Sequence, residues 1–103
     1  MSKMKVWWIP QVPGKPFDIP VESLEEASFL LDVLAAYDLF QYENRIKPDF
    51  VNAGGLVVWD KNSDGEGTPG WVDWYDEETG DDFDTWREEH IESRFAKIRS
   101  RNA

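Results

Sequence analysis

The sequence predicts an α+β fold: a three-stranded, mainly antiparallel sheet with two helices packed on one face, in the order β-α-β-β-α. Three runs rich in β-branched and aromatic residues lie at 5–9, 55–60 and 70–76, and such residues fit a pleated, half-buried surface. Apolar residues at helical spacing fill the gap between the first two runs, and a second helical pattern follows the third. Elements in this order bury their apolar faces by packing helices on one side of the sheet.

The first predicted strand is Lys5–Ile9, which Pro10 closes. Further prolines follow at positions 13, 16 and 20. Because proline lacks an N–H and fixes φ, we predict that segment 10–20 is extended and makes few ladder hydrogen bonds. The three-residue spacing also matches a polyproline II ligand, although a stiff lead-in anchored by Phe17 and Ile19 is the simpler interpretation.

The first predicted helix begins after Ser23 and runs to about Tyr42. Ser23 and Glu26 form a capping-box pattern, in which a hydroxyl is followed three residues later by a carboxylate. The stripe expected to face the core comprises Leu24, Ala27, Leu31, Leu34 and Ala35. Leu30, and Tyr37 or Asp38, widen it at its edges.

The second predicted helix is capped by Asp81, Asp82 or Asp84 and runs to about Arg99. Its acids cluster in the first turns and its bases in the last, which complements the helix dipole. We expect the remaining residues, 99–103, to form a basic tail.

The two runs after the first helix, Gly55–Asp60 and Gly70–Asp76, are joined by a loop rich in Gly and Asp. Consecutive strands with such a connection usually pair as a hairpin. Alternation along the second run places Val72 and Trp74 toward the core and Asp73 toward water. Trp59 and Trp71 are then expected to pair across the strands.

Length and composition favour a single domain of 103 residues without cysteine. The net charge of -10 disfavours binding to nucleic-acid phosphates and favours a partner with a basic surface. The segment Asp60–Glu92 holds thirteen acids and two bases. Neither a signal-peptide pattern after Met1 nor a membrane-length apolar run is present, so we expect a cytoplasmic protein; the oligomeric state stays open.

The inventory of reactive side chains argues against an enzyme. His90 is the only histidine and there is no cysteine, which excludes Cys–His catalysis and three-histidine zinc sites within one chain. The many acids make chance carboxylate pairs common, so they do not indicate a hydrolase. We predict no catalytic residues and no cofactor, and expect His90 to be a partly exposed helix residue.

The loop between the hairpin strands resembles the first half of a calcium-binding loop, with Asp60, Asn62 and Asp64 at alternate positions and Gly65 at the sixth. The twelfth position should supply a carboxylate but is Trp71. Because Asp, Asn and Gly are also ordinary turn residues, we predict no metal and keep these three residues as the calcium alternative.

Six tryptophans exceed what the core of so small a chain needs, and tryptophan is favoured in buried anchors at protein interfaces. The predicted binding residues combine the aromatic and acidic side chains of the hairpin and the turn after it: Trp59, Trp71, Asp73, Tyr75, Asp76, Glu77, Glu78, Asp81 and Asp82. Two alternatives stay open: a nucleotide-signal binder whose indoles stack on a base, and a mimic of DNA whose carboxylates imitate phosphates. An acidic face that only aids solubility is the simplest interpretation of the charge.

Four segments, Val6–Pro13, Tyr37–Asp49, Asn52–Leu56 and Trp74–Gly80, are similar to a family of small bacteriophage and prophage proteins, some of which carry a superinfection-exclusion label. The resemblance covers nearly the whole chain. It implies a phage-encoded protein that acts in the host cytoplasm on a host or rival-phage component by binding. It supplies no catalytic residues.

Overall fold

A four-stranded antiparallel sheet and two helices make up the computed structural model, which describes residues 3–46 and 52–91. The elements are β1 (Met4–Ile9), β2 (Phe17–Val21), α1 (Leu24–Glu43), β3 (Ala53–Asp60), β4 (Gly70–Asp73) and α2 (Phe83–His90). The strand order is β2-β1-β3-β4. The predicted α+β class is confirmed, and the sheet has four strands instead of three.

The additional strand, β2, comes from the end of the proline-rich segment 10–20. It pairs antiparallel with β1 from Met4↔Val21 to Trp8↔Phe17. The expectation of few ladder hydrogen bonds is therefore wrong for the last four residues of the segment, 17–20. β2 is an edge strand with one neighbour, and proline is tolerated there because one side of the strand needs no hydrogen bonds; Pro20 lies opposite Lys5.

Helix α1 begins as the capping box predicts, since the Ser23 Oγ accepts a hydrogen bond from the Glu26 N–H at 3.1 Å. It ends at Glu43, one residue beyond the predicted end. Ala27 and Leu31 are buried in the core, and the other three residues of the predicted stripe pack against it. The buried core comprises Val6, Trp8, Val21, Ala27, Leu31, Leu56 and Phe83.

Helix α2 is shorter than predicted. It ends at His90, and Ile91 is extended, with φ -128° and ψ 123°. The rest of the predicted helix and the predicted basic tail, 99–103, lie outside the described residues.

The guanidinium of Arg87 ties α2 to α1. Its Nη1 lies 2.9 Å from Asp32 Oδ1 and donates to the carbonyl and the hydroxyl of Ser28, both at 3.3 Å. Its Nε donates to Asp84 within α2 at 3.2 Å. Arg87, one of the two bases of the acidic segment Asp60–Glu92, therefore stabilises the contact between the two helices.

The sheet has two different faces. The core face carries Val6, Trp8 and Leu56, against which both helices place their buried residues. The opposite face, called the open face below, is defined by residues that share it through strand pairing: Lys5, Trp7, Asp18, Val57, Trp59, Trp71 and Asp73.

Trp8 anchors a buried polar group on the core face. Its Nε1–H donates to Asp38 Oδ2 at 2.9 Å, and the Asn52 amide donates to the same oxygen at 3.2 Å. Asp38 is only 3% exposed, because its place on α1 faces the sheet. The sequence pattern indicated only that it lies at the edge of the apolar stripe.

Gly54 and Gly55 make room for the two tryptophans of β1. They pair with Trp8 and Trp7 respectively, and the indole rings lie over them on opposite faces of the sheet. A Cβ on Gly54 would lie 2.3 Å from the Trp8 ring, and one on Gly55 would lie 2.8 Å from Trp7 Nε1. Glycine at both positions therefore allows the two indoles to pack closely against β3.

Candidate functional site

The open face carries a pair of exposed tryptophans. Trp59 and Trp71 are cross-strand partners, as predicted, with ring centroids 5.4 Å apart and an edge-to-face angle of 73°. Their exposed fractions are 42% and 40%. Such a pair is stabilising beyond its buried area, so the rings are held in place while much of their surface faces solvent.

Lys5 extends this surface and was not predicted to belong to it. Its Nζ lies 4.4 Å from the centroid of the Trp71 ring and 3.1 Å from Asp18 Oδ2. A cation over an indole is worth about 0.5–1 kcal/mol at an exposed site. Alternation along β1 gives the face of Lys5, but its contact with Trp71 depends on the strand order, which local sequence does not reveal.

The predicted acidic residues lie in two places. Asp73 is exposed on β4, as predicted, and its strand partner is Val57 on the open face. The others follow β4 in the turn that leads to α2, where Tyr75 is 56% exposed and forms an isolated bridge with Asp82. The site predicted as one surface is therefore a sheet face and an adjoining turn.

Two of the acids in the turn stabilise local structure. Asp76 accepts hydrogen bonds from the Glu78 N–H at 3.2 Å and the Thr79 hydroxyl at 3.0 Å. Asp82 caps α2 by accepting from the Thr85 N–H at 2.8 Å. That N–H, together with the Thr85 hydroxyl, lowers the pKa of Asp82 below its ordinary value. Glu77 and Glu78 are exposed and Asp81 is half-buried.

In the loop from Asp60 to Asp64, side-chain oxygens bind the loop's own backbone. Asp60 accepts from the Asn62 N–H at 2.8 Å, and Asn62 accepts from the Gly67 N–H. Asp64 accepts from the N–H groups of Glu66 and Thr68, and the Thr68 side chain is the first cause of its lowered pKa. Within residues 3–46 and 52–91 no cluster of three or more His, Asp or Glu has a metal-binding arrangement.

His90 lies exposed at the end of α2, consistent with the prediction for it. Its ring stacks on Trp86 with centroids 4.7 Å apart and an angle of 10°. Its Nδ1 lies 2.8 Å from the Trp86 carbonyl oxygen. This nitrogen is therefore engaged within its own helix.

Two clefts flank Trp74 and Tyr75. The edge cleft, of about 190 Å³, is lined by Trp7, Gly54, Gly55, Leu56, Asp73, Trp74, Tyr75, Asp82, Phe83 and Asp84. The turn cleft, of about 570 Å³, is lined by Val58, Asp73, Trp74, Tyr75, Asp76, Glu77 and Glu78. Eight of the nine predicted binding residues thus lie on the open face or line one of the two clefts, and Asp73 does both. Asp81 does neither.

The fold and the site define a small acidic α+β protein with an aromatic sheet face opposite its helices. In the part of the chain that the structure describes, none of the helices combines the length and apolarity that crossing a bilayer requires.

The chain belongs to the family described as superinfection exclusion gene product 17, whose model matches residues 3–93. It is 49% identical over 81 residues to a superinfection exclusion protein of Salmonella phage P22, covering 73% of this chain and 79% of that protein. The resemblance seen in the sequence is thereby confirmed. No solved structure matches the chain significantly.

Proposed function

We propose that this is a non-enzymatic phage protein that contributes to superinfection exclusion by binding a protein of the host or of a rival phage through its open face. The observation that carries the proposal is the Trp59–Trp71 pair, two indoles in edge-to-face contact that are each about two-fifths exposed. Tryptophan in such a setting is enriched among the residues that dominate binding energy at protein interfaces.

The charge of the chain segment that carries the aromatic pair supports a basic partner. Residues 52–91 contain twelve acids, against Lys61 and Arg87. Arg87 is paired with Asp32 and Asp84, so it neutralises acids on the helices. Complementary charge of this kind raises association rates and disfavours wrong partners more than it adds affinity.

A nucleotide ligand is less well supported by the same face. A phosphate bound beside the indoles needs a cation, and Lys5, which lies over Trp71, is already 3.1 Å from Asp18. A protein partner requires no such group, because an indole pair with an acidic rim matches an apolar patch bordered by Lys or Arg.

The site of action that we propose is the host cytoplasm. A chain without cysteine depends on no disulfide and is compatible with a reducing compartment. Fractionation of host cells that express the chain tests this part of the proposal.

The proposal is tested by measuring how efficiently a related phage forms plaques on a host that expresses the chain. We expect the wild type to reduce plating. Trp71→Ser should restore most of the plating because it removes one of the two exposed indoles, and Asp73→Lys should do so because it reverses the charge of an acid on the open face. Tyr37→Ser is the matched control, since Tyr37 is an aromatic residue of α1 that is 57% exposed.

Circular dichroism and thermal unfolding of each variant show that it is folded, which separates loss of binding from loss of structure. A folded Trp71→Ser and a folded Asp73→Lys that both reduce plating as strongly as the wild type would contradict the role of the open face. A wild-type chain that leaves plating unchanged would contradict the proposed function itself.

A further inference from the structure

One edge of β3 lacks a strand partner over half its length. β3 spans Ala53–Asp60, but β4 pairs with it only from Val57 to Asp60. The last hydrogen bond on this side runs from the Trp74 N–H to the Leu56 carbonyl at 3.0 Å. The chain then turns away, and among the described residues no strand pairs with the preceding part of this edge.

The backbone of Gly54 faces the vacated side. In an antiparallel strand, the N–H and C=O of alternate residues point to the same edge. The Leu56 carbonyl points toward Trp74, so the N–H and C=O of Gly54, two residues earlier, point to the same edge. The Trp59 N–H bonds to the Lys3 carbonyl on the β1 side, as expected for an odd-numbered residue of this strand. Without a side chain at Gly54 or Gly55, another backbone can approach this edge closely.

The edge cleft is lined in part by Gly54, Gly55 and Leu56 of this strand edge, and its other lining residues are mainly aromatic or acidic. Aromatic rings of Trp7, Trp74, Tyr75 and Phe83 supply its apolar walls, and Asp73, Asp82 and Asp84 supply three carboxylates, while none of its lining residues is basic. Asp73 and Asp84 are both exposed. Asp84 is paired with Arg87, so Asp73 is the carboxylate that we expect to bind a basic side chain. The combination fits an extended chain with basic side chains.

We propose that the Ala53–Leu56 edge of β3 accepts an extended, basic segment of the partner protein as an added strand. Backbone hydrogen bonds to the N–H and C=O of Gly54 provide affinity, and the carboxylates of the cleft select Lys or Arg at alternate positions. The identity of the occupant as a partner protein depends on the proposed function; the binding mode does not depend on the Trp59–Trp71 contact.

The test uses the full chain labelled with ¹⁵N and a hexapeptide of alternating Lys and Val with blocked ends. We expect the amide signals of Gly54, Leu56 and Tyr75 to move on titration. A peptide methylated on alternate backbone nitrogens should bind at least about tenfold more weakly, because it loses the hydrogen bonds that define strand addition. A Glu–Val peptide should leave the signals in place.

Asp73→Asn should weaken binding of the Lys–Val peptide several-fold, whereas Glu43→Gln, an exposed site on α1, should not. The proposal is overturned if the Lys–Val peptide leaves Gly54 and Leu56 unmoved, or if backbone methylation makes no difference. It is also overturned if the same amides shift with protein concentration alone, which would assign the edge to a second copy of the chain.

This experiment and the plating assay fail independently. Loss of exclusion in Trp71→Ser combined with no peptide binding would remove strand addition and leave the proposed function standing. Peptide binding at Gly54 without any exclusion by the wild type would remove the proposed function and leave strand addition standing.

Discussion

Asp38→Ala is expected to lower the free energy of unfolding by about 2–4 kcal/mol. Asp38 is 3% exposed and one of its oxygens accepts hydrogen bonds from Trp8 Nε1 and Asn52 Nδ2. Removing the carboxylate leaves the indole N–H buried without this acceptor, and an unsatisfied buried donor costs about 1–3 kcal/mol. Urea denaturation followed by circular dichroism measures the change.

Two further variants identify the cause of that loss. Asp38→Asn keeps an oxygen acceptor and should cost less than Asp38→Ala. In the background of Trp8→Phe, which has no indole N–H, Asp38→Ala should cost less than it does in the wild type, giving a coupling energy of about 1 kcal/mol or more. Additive effects of the two substitutions would show that the Trp8–Asp38 hydrogen bond is not what makes Asp38 important.

Gly54→Ala is expected to destabilise the fold by about 2–3 kcal/mol, because a new Cβ overpacks the core. It would lie 2.3 Å from Cε3 of Trp8 and 3.2 Å from Cδ2 of Leu31. The Trp8 ring cannot move away easily, since its nitrogen is bonded to Asp38 on α1. Thermal and urea unfolding of the variant measure the effect.

Gly55→Ala is the matched control for Gly54→Ala. Neither glycine has a positive φ, so alanine fits the backbone at both positions and only the surroundings differ. The Cβ at position 55 meets Trp7 on the open face, where the ring can shift toward solvent, and we expect a loss of about 1 kcal/mol or less. Equal losses for the two variants would contradict the explanation based on Trp8.

The sequence was sufficient where short-range signals decide the structure. The Ser23–Glu26 capping pattern marked the start of α1, and the apolar spacing gave its length to within one residue. Turn residues and β-branched residues located the hairpin, and the predicted pairing of Trp59 with Trp71 is confirmed. Each of these features depends on residues close together in the chain.

The missed features depend on contacts between distant segments. The strand β2 contains Pro20, and its place at the edge of the sheet, which makes that proline acceptable, follows from the strand order. Asp38 looked like a residue at the rim of an apolar stripe, because its partner Trp8 is thirty residues away. The close packing at Gly54 and Gly55 depends on β1, which places two indoles over them.

For the candidate site, the sequence predicted which face of its strand Asp73 occupies, but not which residues from different strands lie together. Alternation along β4 correctly placed Asp73 in water. The local sequence pattern does not predict that Lys5 lies over Trp71, nor that the open face and the edge cleft are separate surfaces. Both features depend on how β1, β3 and β4 are ordered in the sheet. Whether these residues bind a partner stays a prediction.

The most direct test of the open face is photo-crosslinking in cells that express the chain during superinfection. A benzophenone amino acid replaces Trp71 in one variant and Tyr37, an exposed residue of α1, in another. We predict a discrete protein adduct from position 71 that is absent from position 37 and disappears when Asp73→Lys is added. An adduct only from position 37, or no adduct from position 71 in a variant that still excludes phage, would contradict the account.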